Sequence, residues 1–166
     1  MKRGLLLISV VFLLLTSCVV DQRKAQWHCN AIMVQQKEIV DVWNRWDLCY
    51  ADTFTFRYLH EKKDSVVMLL DRLDKTLDTL SLPNEDDQLV LATRQWSNTL
   101  RSELLPRYQK KNDSWTMMSL WWNDQNSKDW KLLDEEIEIT KVNSNTQMDE
   151  AVATFIDDYN LSFDTP

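Results

Sequence analysis

The chain has 166 residues, enough for one domain with a usable core, and its 26 acidic side chains outnumber the 19 basic ones. That balance disfavours nucleic acid as a ligand, because phosphate backbones are held by clusters of lysine and arginine. The one glycine is Gly4, so the rest of the chain has no phosphate-cradling loop, dinucleotide turn or nucleophile elbow; with only Pro83, Pro106 and Pro166 as further breakers, long helices joined by polar caps are expected.

Met1-Lys2-Arg3 sets two positive charges ahead of Leu5 to Leu15, an apolar run interrupted by Ser9 alone, and Thr16-Ser17 follow it. These are the charged head, apolar core and small-residue cleavage site of an export signal. The run stops several residues short of the about 20 that a spanning helix needs. Leu15-Thr16-Ser17-Cys18 resembles the lipobox of bacterial lipoproteins. The resemblance covers the signal alone and implies cleavage before Cys18, which becomes the acylated first residue. In a Gram-negative cell it further implies an outer-membrane protein facing the periplasm, since Val19 is not an aspartate. The alternatives are a plain secretory peptide or an uncleaved anchor. Residues 1–17 are thus expected as a signal peptide, 18–20 as a lipidated N-terminus and 21–166 as a single helical domain. Loss of Lys2 and Arg3 leaves 17 basic against 26 acidic side chains, a surface that accommodates a basic or neutral protein partner more easily than bare anionic lipid.

From Asp21 to about Tyr50, Cys29, Ile32, Ile39, Trp43 and Trp46 recur at helical steps and predict one amphipathic helix. Val19-Val20-Asp21 leads almost directly into it, so the bundle should sit close to the bilayer, with Arg23 and Lys24 near the headgroups. A second helix is predicted from about Phe54 to Leu80, where Leu59, Val66, Leu70, Leu73, Leu77 and Leu80 form a heptad-like stripe. Asn84 can cap a third, with Leu89, Ala92, Trp96, Leu100 and Leu104 buried and Pro106 bending or ending it. Asn112-Asp113-Ser114 reads as a turn opening a fourth helix with Trp115, Met118 and Trp122, kinked or split by the polar stretch Asn123 to Asp129, before Trp130, Leu133 and Ile137 resume. Asn143-Ser144-Asn145 reads as a loop, and Thr146 with Asp149 as a capping box for a short last helix, Met148 to about Tyr159. The expected fold is all-α, an antiparallel bundle of about four helices plus a short C-terminal one.

Cys29 and Cys49 are the two other cysteines, and export favours a disulfide. Twenty residues of unbroken helix would hold them about 30 Å apart, so a bridge requires a break in the helix or a second molecule; otherwise both are buried thiols. His28 and His60 lack a ligand partner at helical spacing, and no Glu-x-x-His or Cys-x-x-Cys-His motif occurs, so no metal and no cofactor is expected, and the histidines read as surface or interface groups. Asp134-Glu135-Glu136-Ile137-Glu138 cannot turn four acids to one cleft and reads as a solvated helix face. With no local nucleophile and base arrangement, no catalytic residues are assigned and an enzyme is not expected.

Eight tryptophans stand out in so small a chain. Trp43 with Trp46, and Trp115 with Trp122, share helical faces and are expected chiefly in the core, whereas Trp121 and Trp122 diverge by about 100° and cannot both point inward, so one of them and Trp130 are expected partly exposed. Trp115, Trp121, Trp122 and Trp130 therefore mark the expected interaction surface. Two uses fit it. One is contact with another protein, such as an envelope assembly factor or an inhibitor or immunity partner; the other is a tryptophan-lined site for cell-wall glycan or a small apolar ligand.

Overall fold

Every element among the described residues is helical. The computed structural model describes the backbone of residues 2–50, 56–80, 88–118 and 124–162, and the side chains of 22–50, 59–80, 88–114 and 128–162. α1 is Lys2–Leu48, α2 Phe56–Thr79, α3 Gln88–Thr99, α4 Leu105–Met118 and α5 Asp124–Asp158. A π-helical turn, Leu100–Leu104, joins α3 to α4 without a break, so the five helices form four runs. The expected leader and Cys18 fall on the first part of α1, outside the described side chains. Among the described residues no helix is long and apolar enough to cross a membrane.

Pairs between runs give the topology. Gln35 donates to Thr76 Oγ1 at 2.8 Å and Arg72 pairs with Glu38, so α2 returns along α1. Arg94 meets Asp78 at 2.7 Å, while Arg101 meets Asp71 and Asp74 at 2.8 Å each, which sets the third run antiparallel to α2. The Trp96 indole donates to Asn145 Oδ1 at 3.0 Å and Arg107 lies 3.8 Å from Glu136, so α5 runs antiparallel to the third run. α5 then closes the ring against α1: Gln22 donates to Asn160 O at 2.8 Å, Gln36 to Asp149 at 3.1 Å and Lys141 to Asp47 at 2.5 Å. The bundle is therefore up-down-up-down. Backbones approach most closely within the α1–α2 pair and between α5 and the third run, and only sparsely between α1 and α5.

The predicted stripes are the core. Cys29, Ile32, Ile39, Trp43 and Trp46 of α1, and the α2 leucines with Val66, are all buried. Each fully buried side chain of this size stabilises the fold by about 1.5–3 kcal/mol through removal from water.

Three expected boundaries are corrected. Pro106, expected to bend or end its run, does not end it: the Leu105 amide bonds Leu100 O, a five-residue closure that makes the turn before the proline π-helical. Proline has no amide to give, and in an α-turn its ring strikes the carbonyl four residues back, so the wider turn accommodates it. Asn112-Asp113-Ser114 lies inside α4, and Asn143-Ser144-Asn145, with the supposed capping pair Thr146 and Asp149, lies inside α5. In both places polar side chains find partners across the bundle or along the helix. Asn112 accepts from the Tyr50 hydroxyl, Asn145 from Trp96 and Asp149 from Gln36, while Ser144 Oγ donates to Lys141 O at 3.1 Å. The expected short last helix is thus the end of α5. Between Met118 and Asp124, residues 119–123 lie outside the described ones.

α5 stops at a Schellman turn. Asn160 takes the left-handed conformation with φ 49°, its amide bonds Asp157 O at 3.1 Å, and the Leu161 amide bonds Ile156 O at 2.9 Å. With no glycine to hand, asparagine takes the position that needs positive φ. Leu161 is buried and pins the turn to the core.

Leu73 is fully buried, whereas Met68 on the same helix is 64% exposed. Leu73→Ala is expected to cost about 2–5 kcal/mol and Met68→Ala less than about 0.5 kcal/mol. Urea unfolding followed by circular dichroism checks both; equal losses would contradict this inside-outside assignment.

Candidate functional site

Of the four tryptophans expected to form a surface, Trp130 is the one whose side chain is described, and it is half-buried. The Trp115, Trp121 and Trp122 side chains lie outside the described residues. Trp130 stands edge-on to Tyr50 at 5.6 Å, in a cluster where Tyr108 packs on Trp43 at 5.2 Å and on Trp46 at 4.8 Å. Such ring pairs add about 0.5–1.5 kcal/mol each beyond area burial.

A lysine fills the middle of this cluster. Lys111 Nζ lies 4.3 Å from the centre of Tyr50, 5.2 Å from Trp130 and 5.7 Å from Tyr108, and it pairs with Asp134. Three aromatic faces around one ammonium make a cation cage, occupied by the chain's own side chain. The residue is 5% exposed, a burial that an ammonium tolerates because the rings and the carboxylate replace its water. Trp130 is consequently part of an internal assembly and not a free stacking platform.

Beside the cage, Asp47 at the end of α1 joins three runs. It accepts from the Tyr108 hydroxyl on α4 with Oδ1 and from Lys141 on α5 with Oδ2 at 2.5 Å. Burial pushes the Tyr108 hydroxyl far above the usual phenol range, and Asp47 adds to the rise through its charge and hydrogen bond. Tyr50 is raised as well, again chiefly by burial. For Lys141 burial acts downward, but Asp47, with Glu138 behind it, outweighs that and holds the ammonium above its ordinary value. All three groups keep their protons at neutral pH, and the arrangement is a structural clamp holding neither a free base nor an activated nucleophile.

The remaining candidates are dispersed. Cys29 and Cys49 are buried near opposite ends of the long packed stretch of α1 and are not joined to each other, because the helix runs unbroken from Cys29 to Leu48. Cys29 Sγ lies 3.7 Å from Met33 Sδ, and Cys49 Sγ donates to Arg45 O at 3.0 Å. His28 is buried and not at the surface, its ring 5.4 Å from that of Trp27. The α5 acids serve separate partners: Asp134 meets Lys111, Glu136 meets Arg107 and Glu138 meets Lys141. Among the described residues no three histidines, cysteines or acids gather as a metal site.

A concave surface lies elsewhere, along the sparse seam between α1 and α5. Asn30, Met33, Val34 and Val40 of α1 face Asn145 and Asp149 of α5 across a groove of about 470 Å³, with Gln36 and Lys37 also in its lining. That is within the range of ligand and peptide sites. Val40 and Asn145 also border a narrow recess of about 20 Å³ reaching Trp43, Trp96, Leu100 and Leu104. The π turn thus supplies two of the recess walls. Val34 in the groove lining is more than half exposed, and exposed apolar side chains continue outside it with Val142 and with Trp27, one helical turn before Asn30. Sequence reasoning missed this site because its two walls belong to helices more than 100 residues apart. A signal for Trp27 was nonetheless present, since it falls off the stripe formed by Ala25, Cys29 and Ile32.

The clamp has a pH consequence. Groups whose folded pKa is raised contribute stability that is complete below the unfolded value and is lost as pH rises towards the folded one. Stability is therefore expected to be flat from neutral pH to about pH 9 and to fall above about pH 10, where unfolded tyrosine and lysine lose their protons. Ultraviolet titration should show Tyr50 and Tyr108 silent until the chain unfolds, and Tyr108→Phe should lessen the alkaline loss. Ordinary titration of every tyrosine near pH 10 would refute this placement.

Comparisons with protein-family models, with characterised proteins and with solved structures find no match to this chain, so its own geometry carries the functional argument.

Proposed function

We propose that this chain is a lipid-anchored, non-enzymatic protein of the bacterial cell envelope that binds another protein, taking a basic amphipathic segment of it into the α1–α5 groove. The observation that carries this reading is the apolar groove with exposed Val34 and Val142 beside it. Its α1 wall offers positions 30, 33, 34, 37 and 40, the spacing by which one helix receives the apolar face of another. The acidic surplus supports a basic partner, as do Asp149 in the lining and exposed Glu138 two turns from Asn145. Anchorage at Cys18 rests on the lipobox and places the protein at the membrane, in the outer membrane of a Gram-negative cell.

A second reading, a small apolar ligand, draws on the recess leading inward between Trp43 and Trp96. A cell-wall glycan has less support, since Trp130 is taken up in the lysine cage.

Photo-crosslinking from position 37, at the edge of the groove, in native envelopes tests the first reading. Wild type should capture one protein, and Val34→Arg, a change at a 58% exposed position, should reduce capture at least tenfold with the fold intact. Capture that ignores Val34→Arg would place the partner elsewhere. A lipid-sized adduct in native mass spectra, with no protein captured, would favour the second reading.

A further inference from the structure

The first packed turns of α1 carry a second surface, beyond the N-terminal end of the groove. Gln22 faces α5, where its side chain donates to Asn160 O. On a helix, Arg23, Lys24 and Trp27 are rotated from Gln22 by about 100°, 200° and 140°, so they point to other sides than the Gln22 contact, Arg23 and Trp27 lying in line with Asn30 and Val34 of the groove seven residues on. All three are exposed, Trp27 by 60%, and no other tryptophan among the described residues is as open. The register that sets Gln35 level with Thr76 puts the last turn of α2 near residue 31, so these residues stand beyond its end.

Two exposed cations accompany the tryptophan. On this acidic protein Arg72, Arg94, Arg101 and Arg107 each meet a carboxylate. Among the described residues Arg23 and Lys24 have no acidic partner. Among the described acids near this end, Asp157 and Asp158 belong to α5, on the side that Gln22 faces. Two cations with no acidic partner among the described residues, beside one open indole and within nine residues of Cys18, form the combination that binds a bilayer interface: the indole sits among the headgroups and the cations meet anionic lipid.

We propose that Arg23, Lys24 and Trp27 form a membrane-docking face that lays the N-terminal end of the bundle on an anionic bilayer. The proposal rests on the reading of Cys18 as the lipid-bearing residue, which supplies the proximity. Cys18 and Trp27 are about 14 Å apart along a helix axis. Both reach the interface when α1 is inclined to the membrane or its first turn bends, and not when α1 stands upright and straight. The acidic remainder of the surface is repelled by the same lipids, so the bundle settles with this end down and the α1–α5 groove open to the side.

The test uses the mature chain on phosphatidylcholine vesicles with about one third phosphatidylglycerol, their acyl chains brominated near the headgroup to quench nearby indoles. The mass of the N-terminal peptide reads acylation separately. Where Cys18 is unmodified, its thiol is coupled to a maleimide phospholipid, Cys29 and Cys49 being buried, so docking is read even if the anchor reading fails. The expected result is quenching in wild type that disappears in Trp27→Phe. In Arg23→Gln/Lys24→Gln it should weaken by roughly thirtyfold in apparent docking at low salt, at about 1 kcal/mol per charge. Equal quenching of wild type and Trp27→Phe, or indifference to the loss of both cations, overturns the proposal.

Discussion

Asp47 is where three of the four helical runs meet, and the bundle's register depends on it. Its two carboxylate oxygens are taken by Tyr108 of α4 and Lys141 of α5, each from a different direction. Apolar packing alone tolerates a helix sliding or rotating by a position, because leucine against leucine is nearly interchangeable. A half-buried carboxylate with two designated donors is not, since a misplaced run leaves a charge and a hydroxyl without partners. The neighbouring cage works in the same sense: Lys111 finds three rings and Asp134 only in one alignment of α1, α4 and α5.

This end of the molecule uses its polar groups on itself, whereas the middle leaves apolar groups uncovered. At the Asp47 end the aromatic rings that would make a good binding platform are filled by lysine and hydroxyl partners. Along the α1–α5 seam the side chains are smaller, Val34, Val40 and Met33, and the opposing wall offers Asn145 and Asp149, so the two helices leave a trough between them. The division separates a region that sets the fold from a region available to a partner.

Most of the fold was legible in the sequence because burial here follows simple periods. The stripes of α1 and α2 could be read residue by residue, and the all-α class followed from them. What misled was local chemistry. Asn112-Asp113-Ser114 and Asn143-Ser144-Asn145 have the composition of turns, but asparagine prefers turns only when its side chain must find a local backbone partner. Here Tyr50 and Trp96, far away in sequence, supply partners instead. The site was less legible still. Trp130 looked like a surface anchor because the sequence does not reveal that Lys111, Tyr50 and Tyr108 converge on it, and a groove between α1 and α5 has no signature in either helix alone.

The sparse seam between α1 and α5 also bears on the order in which the chain becomes a domain. α1 with α2, and α5 with the third run, are pairs of neighbours along the chain and close only short connections. The α1–α5 contact joins the two ends, from Gln22 to Asn160. Loop closure of that length is the entropically dearest step, and here few backbone contacts reward it. The ring therefore closes last, as α5 arrives, and opens first under strain while both hairpins persist. Such a seam breathes by small separations of two intact halves, and the trough inherits that freedom: its width is the most adjustable dimension of the molecule.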